Sequence, residues 1–181
     1  MILILGGSKS GKTAFAEEKA ASLAAETRGR VIYLASAQAW DDEMKIRIQR
    51  HKESRPSNWM TLEEPLSVPE AVLNLKGKDT DVILFDCLTL WLTNLLMELG
   101  EDFKQTEAED LINSRVQDFL NAAAAFPGTV IVVSNLVEEG LVSPHFLGRI
   151  FQELSGRSHQ ALAAASQEVY HVVAGLPGRI K

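Results

Sequence analysis

Short apolar runs recur along the chain and are separated by longer stretches of mixed polarity. Continuous runs occupy residues 2–5, 31–35, 82–85 and 130–133. None of them alternates with polar residues, which is typical of parallel strands covered on both faces. We predict a further strand at residues 169–174 and a weaker one, at an edge of the sheet, at residues 59–62.

Helical patterns fill the intervals between these runs. We predict helices at residues 12–27, 88–99 and 151–165, and two more that begin near Ser67 and Thr106. Gly29 is a suitable stop for the first helix. Ser67 with Glu70, and Thr106 with Glu109, have the spacing of an N-terminal capping box. The helix after Thr106 has an apolar stripe at helical spacing, formed by Ile112, Val116, Phe119 and Leu120. Alternating strands and helices predict a three-layer α/β fold with a mainly parallel sheet, in one domain spanning residues 1–181.

Composition narrows the class of protein. The chain has 181 residues, and its 18 Lys and Arg are scattered against 24 Asp and Glu, for a net charge of -6. A nucleic-acid surface needs a clustered basic face, so we expect no nucleic-acid partner. The single cysteine, Cys87, excludes an internal disulfide framework. The chain has no apolar window of the ~20 residues that a membrane span needs, and no signal-peptide pattern. We therefore expect a cytoplasmic protein.

The strongest chemical signal is a phosphate-binding loop. Its residues are Gly6, Gly7, Ser8, Lys9, Ser10, Gly11, Lys12 and Thr13. They match the pattern G-x-x-x-x-G-K-[ST] between a predicted strand and a predicted helix, in which backbone N–H groups and the helix N-terminus bind phosphate. Lys12 is then expected to bridge the β- and γ-phosphates, and Thr13 to bind Mg²⁺ through its hydroxyl. The alternative, a glycine-rich turn that binds nothing, agrees less well with this strand–loop–helix context.

A carboxylate follows the third continuous apolar run. Asp86 lies at the carboxyl end of that predicted strand, where ligands bind in open α/β sheets. It is therefore a candidate Mg²⁺ residue beside the phosphate loop. The alternative is an aspartate that only caps the helix beginning near Leu88. The two roles are compatible.

A basic segment at residues 41–55 contains a candidate nucleophile. His51 has Arg47, Arg50, Lys52 and Arg55 as basic neighbours, and Pro56 ends the predicted helix. Neighbouring cations disfavour protonation of the imidazole, whereas a helix C-terminus favours it. Spacing alone fits a solvated basic face with an ordinary histidine better than a nucleophile.

Together these motifs make the chain similar to the bifunctional adenosylcobinamide kinase / adenosylcobinamide-phosphate guanylyltransferase family of cobalamin biosynthesis. The matching segments are ILGGSKSGKT, YLASAQAWDDEMKIRIQRHKESRP, WMTLE, ILFDCLTLWLTNLL and LSGRSHQALAAASQEVYHVVAGLPGRIK. The resemblance covers almost the whole chain. It implies a P-loop, RecA-like fold, with ATP or GTP and Mg²⁺ as cofactors. It also implies a corrinoid substrate and a homo-oligomer, a trimer with its site near a subunit boundary.

The resemblance also implies roles for individual residues. It makes His51 the nucleophile that is guanylylated by GTP, with Lys12 as the other catalytic residue. The implied nucleotide-binding residues beyond the phosphate loop are Ala35, Ser36, Ala37, Lys52, Glu53, Ser54, Arg55, Glu63 and Asp86. Metal binding falls to Thr13 and Asp86.

The chain departs from the family pattern in two places. The family tends to read N-E-V-G-x-G where this chain has Asn135, Leu136, Val137, Glu138, Glu139 and Gly140, and it has Asn where this chain has His159. These departures leave open a guanylyltransferase with an impaired kinase step. An unrelated small-molecule P-loop kinase without a covalent intermediate is a further alternative. A regulatory GTPase is disfavoured, because the sequence has no N-K-x-D element.

Overall fold

The structure is a computed structural model that describes residues 1–39, 42, 45–46, 49, 52–53, 55–100 and 102–181. The strands are β1 (Ile2–Gly6), β2 (Val31–Ala35), β3 (Met60–Glu63), β4 (Val82–Asp86), β5 (Thr129–Asn135), β6 (Glu168–Val173) and β7 (Leu176–Arg179). The continuous helices among the described residues are α1 (Lys12–Thr27), α2 (Val68–Asn74), α3 (Leu88–Glu98), α4 (Gln105–Ala125) and α5 (Phe146–Ala165). Asp42, Lys45, Ile46, Gln49, Lys52 and Glu53 also have helical backbone.

The seven strands form one sheet in the order β3-β2-β4-β5-β1-β6-β7. All neighbours pair in parallel except β6 and β7, which form an antiparallel hairpin. The predicted α/β fold with a mainly parallel sheet is confirmed, and β3 lies at the edge as predicted. The hairpin strand β7 was not predicted.

The sheet is covered on both faces, because alternate residues of each central strand point to opposite sides. On β1, Leu3 and Leu5 join the larger core with the buried stripes of α2 to α5. Ile2 and Ile4 join the core on the other face, where Ala16, Ala20 and Ala24 of α1 pack. Small alanines let α1 approach the sheet closely, which brings the start of this helix up to the end of β1.

The bounds of α1 are those predicted, but the residue that ends this helix and the start of α5 differ from the prediction. The left-handed residue that ends α1 is Arg28, with φ of 57°, rather than Gly29. α5 begins at Phe146, more than a turn before the predicted start at residue 151. Residue 148 in this first turn is a glycine, which weakened the helical pattern there.

Neither predicted capping box forms. The Ser67 side chain makes no capping hydrogen bond, and the Glu70 carboxylate pairs instead with Arg115. The residue before α4 is Lys104, two positions earlier than the predicted cap at Thr106. The Glu107 carboxylate there accepts a hydrogen bond from the Lys104 backbone N–H at 3.0 Å.

The amino ends of the strands are held by a buried carboxylate. Asp81 is 1% exposed and accepts hydrogen bonds from the backbone N–H groups of Arg30 and Lys78, at 3.0 and 3.1 Å. The Arg30 guanidinium, 2.6 Å away, holds the Asp81 pKa down at about 2. This cluster joins the segments that enter β2 and β4, at the end of the sheet opposite the phosphate loop.

Candidate active site

A cavity of about 500 Å³ opens at the carboxyl ends of the central strands. Its size is within the range of about 300 to 1,000 Å³ that is typical of small-ligand sites. The lining consists of Ser8, Lys12, Thr13, Tyr33, Ala35, Ala37, Lys52, Arg55, Glu63, Asp86, Cys87, Leu90, Asn135, Leu136, Val137 and Gly140. Strands β1 and β2 are consecutive in the chain but are separated in the sheet by β4 and β5. Ligands in open α/β sheets bind at the carboxyl ends of the strands where the strand order reverses in this way, and the cavity lies there.

The phosphate loop has a tightly folded backbone. Gly11 has φ of 93° and directly precedes α1, a conformation that glycine adopts without strain. A side chain at Gly6 would place its Cβ 2.5 Å from the Ser10 Oγ and 2.6 Å from the Val172 carbonyl oxygen. Both glycines are therefore required by the shape of the turn. The helix that follows has its N-terminus at the cavity, where its dipole favours an anion.

Lys12 lies at the first position of α1 and lines the cavity. Its ammonium donates to the Gly7 carbonyl oxygen at 3.0 Å, across the loop that precedes it. The side chain is thus directed back over the phosphate loop rather than toward the surface. A cation in this place is suited to polyphosphate that sits against the loop's backbone N–H groups.

Asp86 and Tyr33 form a polar pair in the cavity lining, on the neighbouring strands β4 and β2. The Tyr33 hydroxyl donates a hydrogen bond to the Asp86 carboxylate. Burial, with the nearby Asp86 charge, raises the Tyr33 pKa far above its usual range, so the hydroxyl keeps its proton. Burial and the Asp86 charge also raise the pKa of Glu17, one turn along α1 from Thr13. The Arg55 cation acts in the opposite direction on the pKa of both groups.

Arg55 lies over the Tyr33 ring, with its guanidinium carbon 3.6 Å from the ring centroid. Its Nε and Nη1 are buried and have no hydrogen-bond partner among the described residues. Such donors are costly to bury unless a ligand accepts from them. Nearby, the Lys52 ammonium lies 2.5 Å from a Glu63 carboxylate oxygen. The charge of Lys52 is thus paired with a carboxylate, whereas these two Arg55 donors have no hydrogen-bond partner among the described residues.

Thr13 and Asp86 fit a magnesium site. Both line the cavity with Lys12, and they offer one hydroxyl and one carboxylate oxygen. Mg²⁺ characteristically takes one or two protein oxygens and completes its shell with phosphate and water. The described residues contain no cluster of three or more acidic, histidine or cysteine side chains that could form an all-protein site. These two oxygens would suit a cation that takes its other ligands from a nucleotide and water.

The predicted site residues divide into three groups. Those in the lining are Ser8, Lys12, Thr13, Ala35, Ala37, Lys52, Arg55, Glu63 and Asp86. Gly6, Gly7, Lys9, Ser10, Gly11, Ser36 and Glu53 are described but are not part of it. His51 and Ser54 lie outside the described residues.

Ser36 is fully buried and links two strand ends. Its hydroxyl donates to the Cys87 carbonyl oxygen at 2.7 Å and accepts from the Cys87 N–H at 3.0 Å. The Asn94 side-chain amide donates to the Ser36 carbonyl oxygen at 2.8 Å. In this structure Ser36 therefore fixes the spacing of the cavity walls and does not itself face the cavity.

Sequence reasoning did not assign Tyr33 or the segment after β5 to the site. Tyr33 was hidden in a continuous apolar strand. Asn135, Leu136 and Val137 line the cavity beside the phosphate loop, and the Leu136 N–H donates to the Gly6 carbonyl oxygen at 3.2 Å. The sequence did draw attention to this segment, because residues 135–140 depart from the pattern of the family that the chain resembles.

The two departures from the family pattern meet in space. Nδ1 of His159 lies 2.6 Å from a carboxylate oxygen of Glu138, and Nε2 lies 2.7 Å from the Ser134 hydroxyl. His159 and Glu138 are 21 positions apart along the chain and belong to α5 and the segment after β5. They constitute one interaction rather than two separate changes.

The sequence is similar to those of known proteins along almost its whole length. A family model described as cobinamide kinase / cobinamide phosphate guanyltransferase matches residues 2–180. The bifunctional adenosylcobalamin biosynthesis protein CobU of Escherichia coli is 37% identical, covering 100% of this chain and 99% of the relative. The corresponding protein CobP of Pseudomonas aeruginosa is 42% identical, covering 99% and 96%. CobU of Salmonella typhimurium is 38% identical, covering 100% and 99%.

Solved structures support the fold. One solved ATPase domain superimposes with a TM-score of 0.52 at 17% identity, covering 94% of this chain and 68% of that one. The flagellar accessory protein FlaH of Methanocaldococcus jannaschii superimposes with a TM-score of 0.52 at 14% identity, covering 94% of this chain and 69% of FlaH. Across the described residues, none of the helices has the length and apolar character to cross a membrane.

Proposed function

The chain belongs to the cobinamide kinase / cobinamide phosphate guanyltransferase family, and from that premise we propose that it performs both reactions in one cavity. Adenosylcobinamide is first phosphorylated on a hydroxyl by ATP or GTP. GMP is then transferred from GTP to that phosphate, and pyrophosphate is released. The observation that supports this proposal best is the joint lining of one cavity by Lys12, Thr13, Arg55 and Asp86.

The phosphate loop serves both reactions by neutralising the triphosphate. Backbone N–H groups of residues 6–13 and the Lys12 ammonium bind its oxygens, and Arg55 supplies further buried donors in the same cavity lining. Thr13 and Asp86 would hold Mg²⁺, which neutralises phosphate charge when it is bound. In the kinase step the acceptor hydroxyl releases its proton to water and its oxygen forms a bond to the γ-phosphorus. The bond to the β,γ-bridging oxygen breaks, and ADP or GDP leaves.

Guanylyl transfer proceeds through His51. A neutral imidazole nitrogen forms a bond to the α-phosphorus of GTP, the α,β-bridging bond breaks, and pyrophosphate leaves. An oxygen of adenosylcobinamide phosphate then attacks the same phosphorus, and the P–N bond breaks as GMP is transferred. Two easier displacements thereby replace one. Support for His51 comes from family membership and from its place in the sequence beside Lys52 and Arg55, which line the cavity.

Incubation of the protein with adenosylcobinamide, ATP, GTP and Mg²⁺ tests the proposal. Mass spectrometry should detect first the phosphorylated and then the GDP-linked corrinoid. Lys12→Ala should lower both rates by about 100-fold or more, because one phosphate site serves both steps. Lys76→Ala removes the same charge from an exposed loop residue outside the cavity and is the matched control. Absence of both corrinoid products with the unmodified chain would refute the proposal.

A guanylyltransferase with an impaired kinase step is the second candidate. The observation that favours it is the Glu138–His159 pair, which replaces the family pattern beside the cavity. In this case the protein would convert supplied adenosylcobinamide phosphate with GTP but would not phosphorylate adenosylcobinamide. Supplying each corrinoid separately distinguishes the two candidates.

Assembly and cellular location form part of the same proposal. We propose a single catalytic domain that assembles into a homo-oligomer, a trimer, in the cytoplasm. Family membership supports this assembly. Light scattering coupled to size-exclusion chromatography should give three times the chain mass of 19.9 kDa, and a monomer mass would contradict it.

A further inference from the structure

We propose that Ser134, Glu138 and His159 form a staple that holds residues 135–137 as a fixed arch at the cavity. The arch is the three-residue segment of Asn135, Leu136 and Val137. The staple residues are positioning residues, because they act on the reacting groups through the arch. This inference rests on the proposed function for its kinetic consequence, but its structural consequence can be measured without any substrate.

The geometry of the staple closes a short loop. Ser134 and Glu138 flank the arch, and both contact the same imidazole of α5. The His159 side chain is buried, with 5% exposed. Its Nε2 lies 2.7 Å from the Ser134 hydroxyl, and its Nδ1 lies 2.6 Å from the Glu138 carboxylate. One ring therefore fixes both ends of the arch. Loss of either bond would leave a buried ring nitrogen of His159 without a partner, which is costly.

The same three residue types form catalytic triads in hydrolases, but this arrangement does not fit that role. Ser134 is 0% exposed and does not line the cavity. A nucleophile must reach its substrate, whereas the Ser134 hydroxyl is covered by His159. The three residues therefore act as a structural staple and not as a catalytic triad.

A second side chain of α5 strengthens the attachment. Gln152 lies two turns before His159, so both project from one side of the helix. The Gln152 side-chain amide donates to the Val137 carbonyl oxygen at 3.0 Å and to the Leu141 carbonyl oxygen at 3.1 Å. The end of the arch is thus bound to α5 through both its backbone and the neighbouring Glu138.

The arch is placed where its position affects transfer. It begins at Asn135, the last residue of β5, and this strand lies between β1 with the phosphate loop and β4 with Asp86. The Leu136 N–H donates to the Gly6 carbonyl oxygen, and the Asn135 amide donates to the Thr89 hydroxyl at 3.0 Å. Movement of the arch would change the space between the triphosphate and its acceptor. Misplacement by about 1 Å can reduce a rate about 100-fold.

The test compares Glu138→Ala with Glu139→Ala. Glu139 is the adjacent, exposed carboxylate, and the structure gives it no hydrogen bond within the described ranges. Amide hydrogen exchange of the peptide covering residues 135–140 should become about 10-fold faster or more in Glu138→Ala and stay within about twofold in Glu139→Ala. Glu138→Gln, which retains an oxygen acceptor for His159, should restore most of the protection.

Kinetics supply the second measurement. Glu138→Ala should lower kcat for corrinoid transfer by about 10-fold or more, while the Kd for GTP stays within about twofold because the phosphate loop is intact. The kcat of the double variant, Glu138→Ala with His159→Gln, should be no lower than that of the slower single variant, because both changes break the same staple. Equal exchange in Glu138→Ala and Glu139→Ala would overturn the staple. So would parallel loss of kcat, GTP affinity and melting temperature. If the unmodified chain turns over no corrinoid, the proposed function fails, and the exchange result still decides the staple.

Discussion

Replacing Asp81 by asparagine should destabilise the fold at neutral pH and leave the cavity chemistry unchanged. The Asp81 carboxylate accepts from two backbone N–H groups and pairs with Arg30 at the amino ends of β2 and β4. The substitution keeps the size of the side chain but removes its negative charge. The new amide is therefore close to the protonated form of the native carboxyl group.

The magnitude follows from the pKa. The Arg30 guanidinium and the two N–H donors lower the Asp81 pKa from 3.8 to about 2. Such a change corresponds to roughly 2.4 kcal/mol of stability at pH 7. The Arg30 side chain is 59% exposed, so solvent screening reduces the value and we expect about 1 to 2 kcal/mol. For a chain of this size the melting temperature should fall by roughly 5 °C.

The contribution of Asp81 to the free energy of unfolding depends on pH, and the direction of the pKa shift determines how. Because the folded pKa is depressed, the contribution is complete above pH 3.8 and is lost as pH falls toward 2. Urea unfolding at pH 7 and at about pH 3 measures this contribution in the unmodified protein and in Asp81→Asn. The difference in free energy of unfolding between the two proteins should be smaller at the lower pH. A difference that does not change with pH would refute the electrostatic reasoning. A large loss of kcat in the folded variant would refute the separation of this cluster from the cavity.

Three further predictions concern the cavity itself. Gly11→Ala should lower both the melting temperature and the affinity for GTP, since φ of 93° strains an L-residue by about 1 to 2 kcal/mol and the new Cβ would lie 3.0 Å from the Gly175 Cα. Tyr33→Phe should reduce the free energy of unfolding by about 1 to 2 kcal/mol in urea, because Asp86 loses a hydrogen bond while the ring beneath Arg55 is retained. Cys87 should resist alkylation in the native protein at about pH 8, since burial raises its pKa to about 11, and should react fully once the protein is unfolded in urea. Labelling of Cys87 at equal rates in the native and unfolded protein would contradict its burial.

The elements that could be predicted from sequence are those whose signal is local. A continuous apolar run determines a buried parallel strand, and the motif from Gly6 to Thr13 combines strand, loop and helix in a few residues. Strand β7 has no such signal, because Pro177 and Gly178 are untypical of strands and the residues of β7 are exposed. Its pairing with β6 is a tertiary effect.

The candidate site was predictable to a similar extent. Lys12 could be assigned from its motif and Asp86 from its place at a strand end, and the structure brings both to one cavity. The staple could not be predicted, since no sequence pattern links Ser134, Glu138 and His159 across two elements. Tyr33 was also missed, because an aromatic residue in a buried strand is usually only part of the core.

The most direct test of the account is the position of the covalent GMP adduct. The protein is incubated with GTP and Mg²⁺, digested at alkaline pH, and its peptides are sequenced by mass spectrometry. We predict GMP on His51, its absence in His51→Ala, and its presence in His145→Ala, which removes an exposed imidazole outside the cavity lining. An adduct that persists in His51→Ala, or that maps to another residue, would contradict the account.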